Sequence, residues 1–129
     1  MFLVDTSIWV DHLRLTEPLL VSALEQGRVL VHPFVIGEIA CGCLGNRARV
    51  LELLAELPAA PVATEAEALG FLDRHSLMGR GIGYIDVHLL AATALAGDAA
   101  LWTRDKRLAV IAAELGLGWS PSGQTGGAS

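Results

Sequence analysis

The chain lacks an excess of positive charge. Nine Lys and Arg stand against fourteen Asp and Glu in 129 residues, a formal net charge of −5 at pH 7. This argues against broad, nonspecific attraction to nucleic acid, which usually shows as a basic domain. It leaves open a site that works through bound cations, because carboxylates gathered around such ions count as negative in a tally that omits the ions. No apolar stretch approaches the roughly 20 residues that a bilayer-spanning helix needs, although 53% of the residues are hydrophobic. The chain therefore reads as soluble, with no membrane partner. Two readings of its apolar excess stay open: many alanines, or a surface covered by a partner. Only two cysteines are present, Cys41 and Cys43. A bridge between residues two apart would be badly strained, which suits a reducing compartment. The opening Met-Phe-Leu-Val-Asp has no basic region before its short apolar run and no cleavage-like site, so it does not read as a signal peptide. A cytoplasmic protein is expected.

The chain length fits one domain with one sizeable core, expected over residues 1–120, with residues 121–129 as a disordered tail. Phe2-Leu3-Val4 reads as a buried parallel strand, and Asp5-Thr6-Ser7 as the helix start before Ile8-Trp9-Val10. A second helix runs from Leu19 to Gln26 and stops at Gly27; Val29-Leu30-Val31 forms a strand, and Pro33 opens a third helix. Helical spacing recurs from Arg47 to Leu57, a weak strand closes near Val62, and a further helix spans Glu65 to His75. After the glycine-rich loop Met78 to Gly83, the segment Tyr84 to Ala96 is apolar on nearly all sides and must be a central helix. Ala100-Leu101-Trp102-Thr103 is a strand, Lys106 to Leu115 the last long helix, and Leu117 to Trp119 an edge strand. Strands alternating with helices imply an α/β domain with a mostly parallel sheet flanked by helices.

In open parallel sheets, sites form beyond the carboxyl ends of the strands. Asp5 and Asp105 each follow a strand closely and are expected at the same rim, although each also suits an ordinary helix N-cap. Glu38 has Phe34, Val35, Cys41 and Gly42 at helical spacing, and Asp86 has Gly83, Leu89 and Leu90. Both acids are expected to face inward, where a lone carboxylate is costly unless it is paired or bound to a metal. Buried ion pairs with Arg49, Arg80 or Arg104 are the structural alternative. One shared site for all four acids is the more economical reading. Such an oxygen-rich set suits Mg²⁺, or Mn²⁺, and phosphodiester chemistry.

Four segments in order carry a resemblance. These are Phe2-Leu3-Val4-Asp5-Thr6-Ser7-Ile8-Trp9-Val10, Glu38 in the third helix, Gly81-Ile82-Gly83-Tyr84-Ile85-Asp86-Val87-His88-Leu89-Leu90-Ala91, and Leu101-Trp102-Thr103-Arg104-Asp105. With them the chain resembles PIN-domain ribonucleases, in particular the VapC-type toxins of prokaryotic toxin–antitoxin pairs. The resemblance implies a PIN-like three-layer α/β fold and Mg²⁺- or Mn²⁺-dependent endonucleolytic cleavage of RNA by activated water, leaving a 5′-phosphate and a 3′-hydroxyl. It further implies a cognate small antitoxin and a homodimer. Asp5, Glu38, Asp86 and Asp105 would form the acidic set, with Asp105 bound to metal directly or through water. Ser7, or else Thr6, would hydrogen-bond near the metal or scissile phosphate, and Thr103 would orient a ligand; capping and strand packing are their other readings. The chain departs from the family pattern at Arg107, where relatives often carry a further Asp, and at Leu108, where an aromatic is frequent. The alternative function is a catalytically degenerate PIN-like module that binds RNA or protein. An aspartyl-phosphate phosphatase built on Asp5 is disfavoured because Ser7 stands where its second acid is expected.

Arg14, Arg80, Arg104 and Lys106, with Arg107 beside them, are candidates for RNA phosphate contacts, their other reading being solvated surface. Gly79-Arg80-Gly81-Ile82-Gly83 has the wrong spacing and place for a dinucleotide fingerprint and is expected to present Asp86. His12, His32, His75 and His88 form no zinc motif. Cys41 and Cys43, on opposite sides of a helix, are expected in the core, as are Trp9 and Trp102.

Overall fold

The computed structural model describes residues 1–119; the expected tail, residues 121–129, lies outside them. Phe2–Val4 forms β1, and the chain turns at Asp5 into α1 (Thr6–Arg14). Pro18 opens α2 (Pro18–Glu25), in the first-turn position where proline's missing N–H and fixed φ cost nothing. Gly27, at φ +67°, ends that segment and sends the chain into β2 (Val29–Leu30). His32 then caps α3 (Pro33–Ala40) by accepting the Phe34 N–H on Nδ1 at 3.0 Å. Next come α4 (Arg47–Ala55) and α5 (Glu65–Arg74), the latter started by a reciprocal capping box between Thr64 and Glu67. The chain continues through α6 (Tyr84–Ala96), β3 (Ala100–Trp102) and α7 (Lys106–Glu114).

The sheet is parallel with strand order β2-β1-β3. Its first strand lies in the centre, paired Leu3 to Leu30 on one side and Val4 to Trp102 on the other. Single bridges widen it at both edges, Val31 with Ala59 and Leu101 with Gly118. The outer pairing beyond β2 thus falls at Ala59 rather than at Val62, whose side chain is exposed. The pairing at Gly118 is one bridge, not a full edge strand. Helices flank this sheet, as an α/β chain with parallel strands requires. Seven consecutive residues of α6, Val87 to Thr93, are buried, so this helix is central, and Leu3, Leu89, Leu90 and Trp102 are almost wholly enclosed.

Three expectations about α3 and the residues after it are corrected. The helix ends at Ala40, with Cys41 as its C-cap, so the apolar face expected to continue through Cys41 and Gly42 is cut short. Cys41 and Cys43 are exposed, free thiols instead of core residues. The buried face of α3 is formed by Val35 and Ile39, and Glu38 sits off that face, exposed rather than inward.

Candidate active site

The register Val4 to Trp102 brings the carboxyl ends of β1 and β3 side by side, and the Asp5 N–H donates to the Trp102 carbonyl at 2.9 Å. Asp5 occupies the N-cap position of α1 but makes no side-chain cap hydrogen bond. Its carboxylate, only 7% exposed, turns to two hydroxyls instead. Ser7 Oγ and Thr103 Oγ1 each donate to Asp5 Oδ2 at 2.7 Å. Those hydroxyls in turn accept main-chain donors, Ser7 from the Arg104 N–H and Thr103 from the Asp105 N–H, both at 3.0 Å. Each hydroxyl has one proton, so both are committed to Asp5 and their directions are settled.

The other acids stand on or at the start of three helices. Glu38 on α3 accepts from Thr6 Oγ1 through Oε1 at 2.6 Å. Asp86, in the first turn of α6, accepts the Gly83 N–H through Oδ2 at 3.1 Å. Asp105 caps α7, with Oδ1 accepting the Leu108 N–H at 2.9 Å. Every one of the four carboxylates therefore has one oxygen fixed by the protein. The second oxygen of each makes no hydrogen bond among the described residues. Half-buried Asp86 registers the grouping: its carboxyl is pushed above the usual range by burial first, against the pull of the Gly83 N–H, and further by the charges of Asp5, Asp105 and Glu38. Among the described residues no three His, Cys, Asp or Glu side chains are placed to hold a metal ion as they stand. The donors are hard oxygens that repel one another, which suits a hard divalent cation, and closure around one would require the free oxygens to draw together.

The cations near the site differ in their engagement. Arg104 pairs with Asp11 Oδ2 at 2.6 Å and Glu17 Oε1 at 2.7 Å. Arg80 forms a forked pair with Glu114 at 3.0 and 3.1 Å. Arg14 and Lys106 are exposed, and Arg14 lies with Arg104 along the same depression beside α1. Asp11 and Glu17 as holders of Arg104 left no local signal in the sequence, since ion pairing between distant segments makes no local pattern. It also missed the buried histidines: His32 and His88 both pack edge-on against Phe34. His32 Nε2 and His88 Nδ1 have no partner among the described residues. The only local signal was a histidine directly before the proline that opens α3. Trp9 and Trp102 are buried.

The PIN domain family model matches residues 2–114. The chain is 48% identical over 117 residues to Ribonuclease VapC32 of Mycobacterium tuberculosis, in strain CDC 1551 / Oshkosh and equally in strain ATCC 25618 / H37Rv, covering 91% of this chain and 94% of each relative. With this match spanning β1 to α7 and all four acids, the chain belongs to the PIN-domain family and, within it, to the VapC-type ribonucleases.

Proposed function

We propose that the protein is a metal-dependent endoribonuclease of the VapC toxin type, with Asp5, Glu38, Asp86 and Asp105 as its working acids. The observation that carries this reading is the division of labour within each carboxylate, one oxygen anchored by the protein and one left without a partner among the described residues, in acids whose charges act together on Asp86. Asp5, Asp86 and Glu38 would hold Mg²⁺ or Mn²⁺, and Asp105 would bind it directly or through water. Such an ion supplies charge neutralisation at the scissile phosphate and acidifies a water for attack. Asp5 is oriented by Ser7 and Thr103, whose hydroxyls fix which of its oxygens stays free. Thr6 holds Glu38 so that its exposed side chain does not drift into solvent. Asp86, whose carboxyl is raised by burial and by the neighbouring acids, gains a counter-charge from a bound cation.

The products expected from hydrolysis by activated water are a 5′-phosphate and a 3′-hydroxyl. The same reading assigns the protein a cognate small antitoxin, a homodimeric state and a cytoplasmic place; among the described residues no helix is long and apolar enough to cross a membrane. Purified protein incubated with single-stranded RNA is expected to cleave it in Mg²⁺ or Mn²⁺, and to stop in EDTA or as Asp5→Asn. Full cleavage in EDTA would sink the metal-dependent reading. RNA binding without cleavage under any divalent cation would favour the degenerate binding module.

A further inference from the structure

The first turn of α7 carries two cations in succession, Lys106 and Arg107, and no acid beyond the capping Asp105. Helix N-termini favour negative charge, so cations at the first two positions oppose the local field. Both side chains are exposed, and neither forms an ion pair among the described residues, whereas neighbouring Arg80 is clasped by Glu114. Arg107 nevertheless packs against a neighbouring loop. Its Cδ, Nη1 and Nε lie against Gly81 so closely that a Cβ there would stand 2.7, 2.8 and 3.1 Å from them. Gly81 also has φ +85°, so its backbone requires glycine, and the Arg107 side chain packs where a Cβ would otherwise stand. Arg80, Lys106 and Arg107, floored by Val110 and Ile111, line a depression of about 240 Å³. The chain connects it to the acidic positions: Asp105 directly precedes Lys106, and the Gly81 loop leads into Asp86.

We propose that this depression binds a backbone phosphate of RNA flanking the one that is cut, with Arg107 as its main ligand and Lys106 as a second. The proposal rests on the ribonuclease reading above. A planar guanidinium seated on a glycine presents a fork that matches two phosphate oxygens, and Lys106 adds a point charge. An anion here would also satisfy the helix end that the two cations oppose. The four acids repel a polyanion, so a cationic seat beside them offsets that repulsion where the strand must approach.

The test uses the full chain carrying Asp86→Asn, so that RNA stays intact, and a short labelled single-stranded RNA followed by fluorescence anisotropy. Adding Arg107→Ala is expected to weaken binding about tenfold at low salt and to flatten the slope of log affinity against log salt by about 0.7, the share of one phosphate. Arg107→Lys is expected to restore the slope and part of the affinity. A neutral methylphosphonate is then walked along the RNA. One position should cost affinity in the Asp86→Asn protein and cost nothing once Arg107 is also removed, the signature of a direct pair. Thermal melting checks that each variant is folded. Unchanged affinity and slope in Arg107→Ala, or a methylphosphonate cost that persists without Arg107, overturns the subsite and leaves the ribonuclease reading standing. Failure of the Asp86→Asn protein to bind RNA at all overturns both.

Discussion

The hydroxyl of Thr103 donates to Asp5 Oδ2 at 2.7 Å, tying the end of β3 to the end of β1 across 98 residues of chain. Ser7 donates to the same oxygen from the first turn of α1. Thr103→Val keeps the side-chain shape and deletes the donor. It is expected to lose about 1.5–3 kcal/mol of stability, the usual value of a hydrogen bond to a charged group, and about 10- to 100-fold in metal affinity or cleavage. Ser7→Ala should behave alike. Since both donors serve one oxygen, the double variant is expected to depart from additivity, measured by urea melts and by RNA cleavage rates. Strict additivity would mean that the two hydroxyls act separately.

Asp86 gives an opposite sign for stability. Its folded carboxyl is raised above the usual 3.8 by burial first and by Asp5, Asp105 and Glu38 after it. As pH rises past 3.8 the unfolded state releases this proton first, so the folded state binds more protons and stability falls until the folded group also ionises. At neutral pH without metal, Asp86→Asn is therefore expected to melt at a higher temperature than the parent while losing cleavage, and Asn can still accept the Gly83 N–H. Saturating Mn²⁺ should reverse the order. A ligand at a hundredfold excess over its dissociation constant stabilises by about 2.7 kcal/mol, and only the parent should gain fully. A melting temperature for Asp86→Asn below that of the metal-free parent would contradict the repulsive grouping.

The three paired strands, the central helix and the placing of Asp5 and Asp105 just beyond strand ends were legible in the sequence because each rests on local pattern: short apolar runs, all-round apolarity in α6, and an acid directly after or soon after a strand. Boundaries moved where two signals competed. The helical spacing after Pro33 continues through Cys41 in the sequence, but the helix ends at Ala40, ahead of Gly42 and Gly45, and its buried face is Val35 and Ile39, which leaves Glu38 exposed. The side-chain wiring was not legible. Nothing local distinguishes Asp5, an N-cap residue whose carboxylate does not cap, from Asp105, an N-cap residue whose carboxylate does. That distinction arises from Thr103, which reaches Asp5 only after the fold has formed.

Asp105 thus has two duties that can be separated. Asp105→Ser retains an oxygen able to accept the Leu108 N–H, since serine is among the preferred caps. Asp105→Ala loses both cap and charge, and is expected to cost about 1 kcal/mol. If the free oxygen Oδ2 serves the metal, directly or through water, cleavage should fall in both variants while stability falls only in Ala. Equal cleavage by Ser and the parent would assign Asp105 to capping alone.

His32 supplies a test of how acid opens the core. Its side chain is fully enclosed, with Nδ1 already accepting the Phe34 N–H, so protonation must either break that cap or place a charge in the interior. Burial first, and the neighbouring His88 second, hold its pKa down to about 4 from 6.5. The unfolded chain takes up this proton below pH 6.5 and the folded chain only near 4. Hence the unfolded state binds more protons in that window, and stability falls as pH is lowered through it. The full contribution is present above pH 6.5, and its loss steepens to about 1.4 kcal/mol per pH unit before levelling near the folded value, with roughly 3 kcal/mol lost in all. His32→Asn preserves the cap, because asparagine also accepts an N–H at the helix start. It removes the titrating ring, so its urea midpoints should decline less than the parent's over this interval. Asp86 slopes the other way and is common to both proteins, so the difference between their two curves isolates His32. Parallel curves for parent and variant would show that the buried ring is not what acid attacks.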